Sequence, residues 1–319
     1  MTKLTRPIAI YHEHQDWFRP LFAELDRRGT PYVRIDARRH QYDIASKDGA
    51  FSLLFNRMSP SAYARGNGHS IFYTLNYLAH LEELGVRVIN GLRAFTLETS
   101  KALQLSMLEA LGLPYPAARV INHASQAAAA AKALRFPVVV KPNVGGSGIG
   151  ISRFDRPEEL AQAAEEGKLD FGLDNTAIVQ EYIPARGGFI TRVEVLGGRY
   201  LYAIRVHLSG EGYNLCPADI CQTKDGVELA RATCPVDAPK TGLRVEAYTP
   251  PPEVIAAVER IMETASIEIG GVEYIVDERD GRLLYYDVNA LSNFVADAPR
   301  VIGFDPFARL ADYLEQEAR

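Results

Sequence analysis

The sequence predicts a mixed protein, α/β at its start and α+β thereafter. Three observations carry this. Strand and helix signals alternate over the first 95 residues, strand signals dominate from residue 177 onward, and a glycine-rich turn lies between two strands near the middle. A βαβ rhythm demands a parallel sheet with helices on its faces. The composition can fill such cores: 319 residues, 47% apolar, 24% charged and 9% aromatic, enough for two or three globular units. It excludes a disordered tail, a fibrous repeat and a disulfide-stapled mini-domain. No uninterrupted apolar run is long enough to span a bilayer, and MTKLTRPIAIYHEHQDW does not read as a secretory signal. A net charge of -5 argues against a nucleic-acid partner. Three cysteines, an odd count, fit a reducing compartment, so the expected location is cytoplasmic, with no membrane partner.

In chain order, residues 7–11 are apolar and strand-like. Residues 16–28 carry Phe18, Leu21, Phe22 and Leu25 at helical spacing and stop at Gly29. Strands follow at 31–36 and 51–55, a helix at 69–84 closing at Gly85, and a short strand at 86–89. Residues 98–111 form a helix ending at Gly112, after which Leu113-Pro114-Tyr115-Pro116 forces extended chain. The alanine-rich stretch 124–134 is a strong helix former, and strand 137–141 follows it. A helix is expected at 157–166, strands at 177–180, 190–196 and 200–206, and a turn-rich region at 208–250. A helix at 253–268, a strand pair over 271–289 and a helix from Pro306 complete the chain. The expected division is 1–95, 96–183 and 184–319.

Lys141-Pro142-Asn143-Val144-Gly145-Gly146-Ser147-Gly148-Ile149-Gly150 leaves backbone N–H groups free to face an anion. No GK[ST] follows the glycines and the next element, 149–153, reads as a strand, which excludes a P-loop and a dinucleotide fingerprint. A hairpin folding over phosphates remains, with Lys141 on the preceding strand as a point charge. A flexible hairpin with an incidental lysine is the alternative.

Glu273 and Asp287 belong to two strands flanking Arg279-Asp280-Gly281. A three-residue loop with Gly281 in the left-handed region sets Asp287 opposite Glu273. Asn289 shares the face of Asp287 by period two. Two carboxylates and an amide there suit Mg²⁺. A solvated sheet face is the alternative, weakened because Asp and Asn are poor strand formers.

Together these residues resemble the ATP-grasp superfamily, most closely its RimK-type amino-acid ligases. The resemblance implies an N-terminal parallel α/β domain (the pre-ATP-grasp domain) and two α+β lobes clamping ATP. It implies Lys101 and Lys141 on the phosphates, with Gly145, Gly146, Ser147 and Gly148 covering them. Gln180, Glu181, Tyr182 and Ile183 fall at the hinge strand that reads adenine, and Glu273, Asp287 and Asn289 at the ligands for Mg²⁺ (or Mn²⁺). Arg192, in Thr191-Arg192, matches the arginine that steadies an acyl phosphate. Arg57 at a strand's carboxyl end, Asn214 and Asn293 are the expected substrate contacts. The chain departs from the family at Ile190, where an acidic ribose contact is usual, and at Ala290-Leu291-Ser292-Asn293-Phe294, where Ala-Ser-Pro-Gly is common. The implied activity is ATP- and Mg-dependent joining of a carboxylate to an amine, glutamate being the family's commonest donor. The substrates would be small-molecule or peptide carboxylates and amino acids, and a homo-oligomer is compatible with it. A peptide-modifying ligase, a phosphotransferase and a nucleotide-binding regulator without turnover stay open. Cys216, Cys221 and Cys234 lack zinc spacing. His12 and His14 are candidate cleft residues, whereas Trp17, Tyr285 and Tyr286 read as packing residues.

Overall fold

The computed structural model describes residues 4–14, 16–46, 50–146, 148–208 and 244–319. Ser147, Asn214, the three cysteines and most of 208–250 lie outside the described residues.

The first sheet is parallel, as the βαβ rhythm requires. β1 (Ile8–His12), β2 (Tyr32–Asp36), β3 (Leu53–Arg57) and β4 (Val88–Ile89) stand in the order β2-β1-β3-β4. Every residue of β1 and β3 is buried, as expected of strands covered on both faces. Helices α1 (Arg19–Arg28) and α2 (Gly68–Glu83) supply that cover, α1 through Leu21, Phe22 and Leu25 and α2 through Ile71, Leu78 and Leu81. Gly29 closes α1 in the left-handed conformation at φ 69°, a position that favours glycine.

The expected helix over 98–111 is present but starts three residues later, and a separate helix precedes it. α3 (Leu92–Glu98) stops, and α4 (Lys101–Ala110) restarts behind Ser100, whose hydroxyl accepts the Leu103 N–H at 3.3 Å. An N-cap serine starts a helix by satisfying one of its free donors. β5 (Ala118–Ile121), unmarked in the sequence because Arg119 and Val120 face solvent, edges a second sheet. The alanine-rich run gives only a short α5 (Ala127–Ala131). β6 (Val138–Pro142) pairs antiparallel with β7 (Ser152–Phe154), which begins later than expected. The glycines of the turn do not join the ladder, and Gly148 and Gly150 have φ of 72° and 75°. After α6 (Pro157–Glu165), β8 (Ala177–Glu181) completes the order β5-β8-β6-β7.

The third sheet holds β9 (Phe189–Leu196), β10 (Arg199–His207), β11 (Val245–Tyr248), β12 (Ile269–Val276) and β13 (Leu283–Asn289), in the order β11-β10-β9-β12-β13. One face, with Val193, Val195 and Val272, packs on α7 (Pro252–Ala265) through Val254, Val258, Ile261 and Met262. The other face carries Ile190, Arg192, Glu194 and Glu273 into a cavity. Behind α8 (Ala298–Ile302), α9 (Pro306–Glu317) returns to the first sheet, where Arg28 meets Asp312 at 2.6 Å. Asn90 joins the first sheet to the third: its amide donates to the Ile269 and Ala290 carbonyls at 2.7 Å each and accepts from the Glu268 and Ile269 N–H groups.

The β12–β13 hairpin corrects the expected three-residue loop. Asp277 donates its N–H to the Arg282 carbonyl at 2.9 Å, so the turn covers 278–281. That register would miss the Glu273–Asp287 pairing by one residue, and a bulge restores it. Glu273 faces Asp287, the next pair is Tyr274–Tyr285, and Tyr286 is the extra residue. A bulge redirects its extra side chain, and Tyr286 turns into the cavity while Tyr285 stays in the core.

Candidate active site

The second and third sheets line one cavity of about 710 Å³, joined by Trp17, Ser59, Pro60 and Ser61 from the segments that follow β1 and β3. Lys101 is set by the start of α4. The Asn143 side chain accepts from the Ala102 N–H at 2.8 Å and from the Ser100 hydroxyl at 3.2 Å, and donates to Asp174 at 2.6 Å. A single asparagine thus fixes the base of the glycine turn to the first turn of α4. Sequence reasoning passed over it.

Two lysines and three oxygen-bearing side chains meet on the cavity wall. The Lys101 ammonium lies 2.7 Å from Asp287 Oδ1, and Asn289 Nδ2 donates to Asp287 Oδ2 at 3.1 Å. Glu273 Oε1 accepts from Arg192 at 3.0 Å and Oε2 from the Tyr286 hydroxyl at 2.7 Å. Burial alone would push the Asp287 carboxyl up, but the ammonium of Lys101, aided by Lys141 and Asn289, holds it below the usual range. Burial pushes Glu273 up against the opposing Arg192 charge. Lys141 has no hydrogen-bond partner among the described residues. Its burial, with Lys101 near, lowers it to about 7, because desolvation disfavours the charged form.

Among the described residues no three His, Cys, Asp or Glu side chains form a metal-holding group. The set of Glu273, Asp287 and Asn289 reaches three donors only through an amide. Its donors are all hard oxygens on one cavity wall, which fits a hard divalent cation completed by phosphate oxygens.

Gln180, Glu181, Tyr182 and Ile183 line the same cavity across from the metal-type set. Gln180 is 4% exposed and its Nε2 has no partner among the described residues. Arg153 covers the Tyr182 ring at 4.4 Å. Gly145, Gly146 and Gly148 line it as well.

Arg57 is not brought to the cavity wall. It lies buried over Phe18 at 4.7 Å and Phe55 at 5.3 Å, and donates to the Ser292 carbonyl at 2.6 Å and Asn293 Oδ1 at 2.8 Å. Asn293 does line the cavity. His12 is buried against Phe18 and Phe22 and is lowered to about 4 by burial. His14 stacks on Trp17, and Trp17 packs on the core as expected while also lining the cavity.

Glu98, Glu194 and Tyr286 are cavity residues the sequence did not mark. Burial raises Glu98 to about 7, and it accepts the Ala290 N–H. Glu194 takes the Arg192 Nε at 2.6 Å. Period two along β9 could have found Glu194 from Arg192. No local signal marks the other two.

A family model described as D-ala D-ala ligase C-terminus matches residues 107–215. The D-alanine–D-alanine ligase of Haemophilus influenzae is 30% identical over 196 residues, 60% of this chain and 60% of the relative, and that of Geobacter sulfurreducens is 28% identical over 209 residues. The match therefore spans 60% of the length of these curated relatives. Among solved structures, the ATP-grasp ligase PsnB complexed with a minimal precursor aligns over 99% of this chain and 100% of its own, with 18% identity and a TM-score of 0.67. A RimK domain ATP-grasp protein from Sphaerobacter thermophilus aligns over 97% and 99%, with 21% identity and the same TM-score. Residues 107–215 thus resemble the D-ala D-ala ligase C-terminus in sequence, and the chain as a whole shares its fold with ATP-grasp proteins.

Proposed function

We propose that the protein is an ATP- and Mg²⁺-dependent ligase joining a carboxylate to an amine through an acyl phosphate. The observation that supports this reading is the convergence, on one cavity, of two lysines, three hard-oxygen side chains, a hinge strand and a glycine-rich turn. In the reaction a carboxylate oxygen attacks the γ-phosphorus, the P–O bond to ADP breaks, and ADP leaves. The amine nitrogen then attacks the acyl carbon, the bond to phosphate breaks, and the amine proton passes to a base. Positioning and charge neutralisation are the main demands of such a transfer.

Lys101 and Lys141 hold the phosphates, and Gln180 through Ile183 receive the adenine. Glu273, Asp287 and Asn289 would hold Mg²⁺, which when bound neutralises charge on the β- and γ-phosphates. Arg192, oriented by Glu194 and Glu273, offsets charge on the phosphoryl and on the tetrahedral adduct. The glycine turn excludes water, which would hydrolyse the acyl phosphate. Asn293 is the substrate contact on the acceptor side.

D-alanine, the substrate named for the relatives, and glutamate are the first amino acids to supply. ADP release should appear with ATP, Mg²⁺ and an amino-acid pool, and a C–N product should be visible by mass spectrometry. ADP release that needs no amine would sink the ligase reading in favour of a phosphotransferase. The full-length likeness to PsnB favours a second reading, a ligase acting on a peptide precursor. Turnover with a peptide but none with free amino acids decides for it.

A further inference from the structure

The segment after Asn289 is held in a conformation its sequence does not favour. Phe294 and Asp297 have φ of 54° and 49°, the left-handed region that costs a residue with a side chain about 1–3 kcal/mol. Such strain persists only when the surroundings over-determine it, and here they do. Arg192 donates to the Leu291 carbonyl at 3.3 Å, Phe294 donates its N–H to the Ser292 hydroxyl at 3.0 Å, and Val295 donates its N–H to the Tyr202 hydroxyl at 3.0 Å. Arg57 adds the remaining clamp, with one terminal nitrogen serving both the Ser292 carbonyl and Asn293 Oδ1.

A guanidinium has donors and no acceptor, so the atom Asn293 turns toward it must be its carbonyl oxygen. The other end of the amide, Nδ2, therefore points away from Arg57. Asn293 lines the cavity, and Nδ2 has no hydrogen-bond partner among the described residues. Arg57 stays cationic at neutral pH although burial lowers it to about 9. A buried positive charge behind an amide polarises its N–H groups toward an oxygen and disfavours an ammonium in front of it. Glu194, the acid acting most strongly on Arg57, has one oxygen engaged by Arg192.

We propose that Asn293 is an acceptor-side hydrogen-bond donor that takes a carboxylate or carbonyl oxygen of the substrate, oriented from behind by Arg57. This deepens the ligase reading and rests on it for the identity of the ligand as substrate. Arg57 is then a positioning residue that never touches the substrate.

The test needs no turnover, so it can fail independently of the ligase reading. Protein labelled with ¹⁵N-asparagine is titrated with acetate and, separately, with methylammonium at matched ionic strength, and the Asn293 side-chain resonance is assigned through Asn293→Asp. Acetate should shift that resonance saturably, and methylammonium should leave it in place. In Arg57→Lys, which keeps charge but loses the fork, the acetate affinity should fall about tenfold or more with ATP affinity unchanged. A response to methylammonium, or none to acetate in the wild type, overturns the proposal. Should Arg57→Lys fail to fold, the contrast between the two probes in the wild type decides alone. Missing ligase activity with an intact acetate response would overturn the enzyme reading and leave the donor site standing.

Discussion

Lys141 shows how much one buried cation can report. Its ammonium is lowered from 10.5 to about 7 by burial and by the Lys101 charge. In the unliganded fold it is therefore mostly neutral above pH 7, whereas a bound triphosphate favours the charged form. Nucleotide binding should draw in a proton, and affinity should drop by up to about tenfold per pH unit between 7 and the bound-state value. Calorimetry near pH 8.5 in buffers of different ionisation enthalpy should register uptake approaching one proton, and Lys141→Arg should remove it. Zero uptake in the wild type would contradict a phosphate role. The same depression means folding disfavours the charged lysine, so its stability contribution rises from pH 7 toward 10.5. At this scale the sequence revealed the lysines and the oxygen donors because charges beside apolar strands and glycines stand out. It concealed Tyr286, Glu98 and Trp17, whose exposure to the cavity depends on a bulge and on distant chain segments.

Among the elements, the glycine turn and the last hairpin carry the most information. Gly150 has a positive φ, and an added Cβ would lie 2.5 Å from the Asp170 carboxylate and 2.8 Å from the Pro142 ring. Alanine there must strain the backbone by about 1–2 kcal/mol and also shift the turn. We expect Gly150→Ala to fold, with ATP affinity reduced about tenfold, as measured by equilibrium binding. Unaltered affinity would mean the turn's conformation is irrelevant to the nucleotide. The parallel strands were readable because short apolar-rich segments separated by helical periodicity admit little else. β5 escaped notice because half of it faces solvent, and α5 ended early because alanine propensity sets helix preference without setting length. The hairpin register came out right for the wrong cause, since turn chemistry does not report a bulge farther up the strand.

For the whole molecule, Asn90 is the residue to remove. Its one side chain satisfies two backbone N–H groups and two carbonyls between the first and third sheets. Asn90→Ala leaves those groups buried without partners, and we expect a loss of roughly 3–5 kcal/mol in denaturant unfolding. A change below about 1 kcal/mol would show that water replaces the amide at no cost. Nothing in the local sequence forecasts this link, because its partners are more than a hundred residues away. The bulged Tyr286 has a wider effect. It works as a slip joint, taking up the mismatch between the tip at 278–281 and the business end of the same ribbon. A tag or reporter peptide spliced into that tip should ride outside the cavity without disturbing residues 287–289, a practical handle for immobilising or labelling the folded protein.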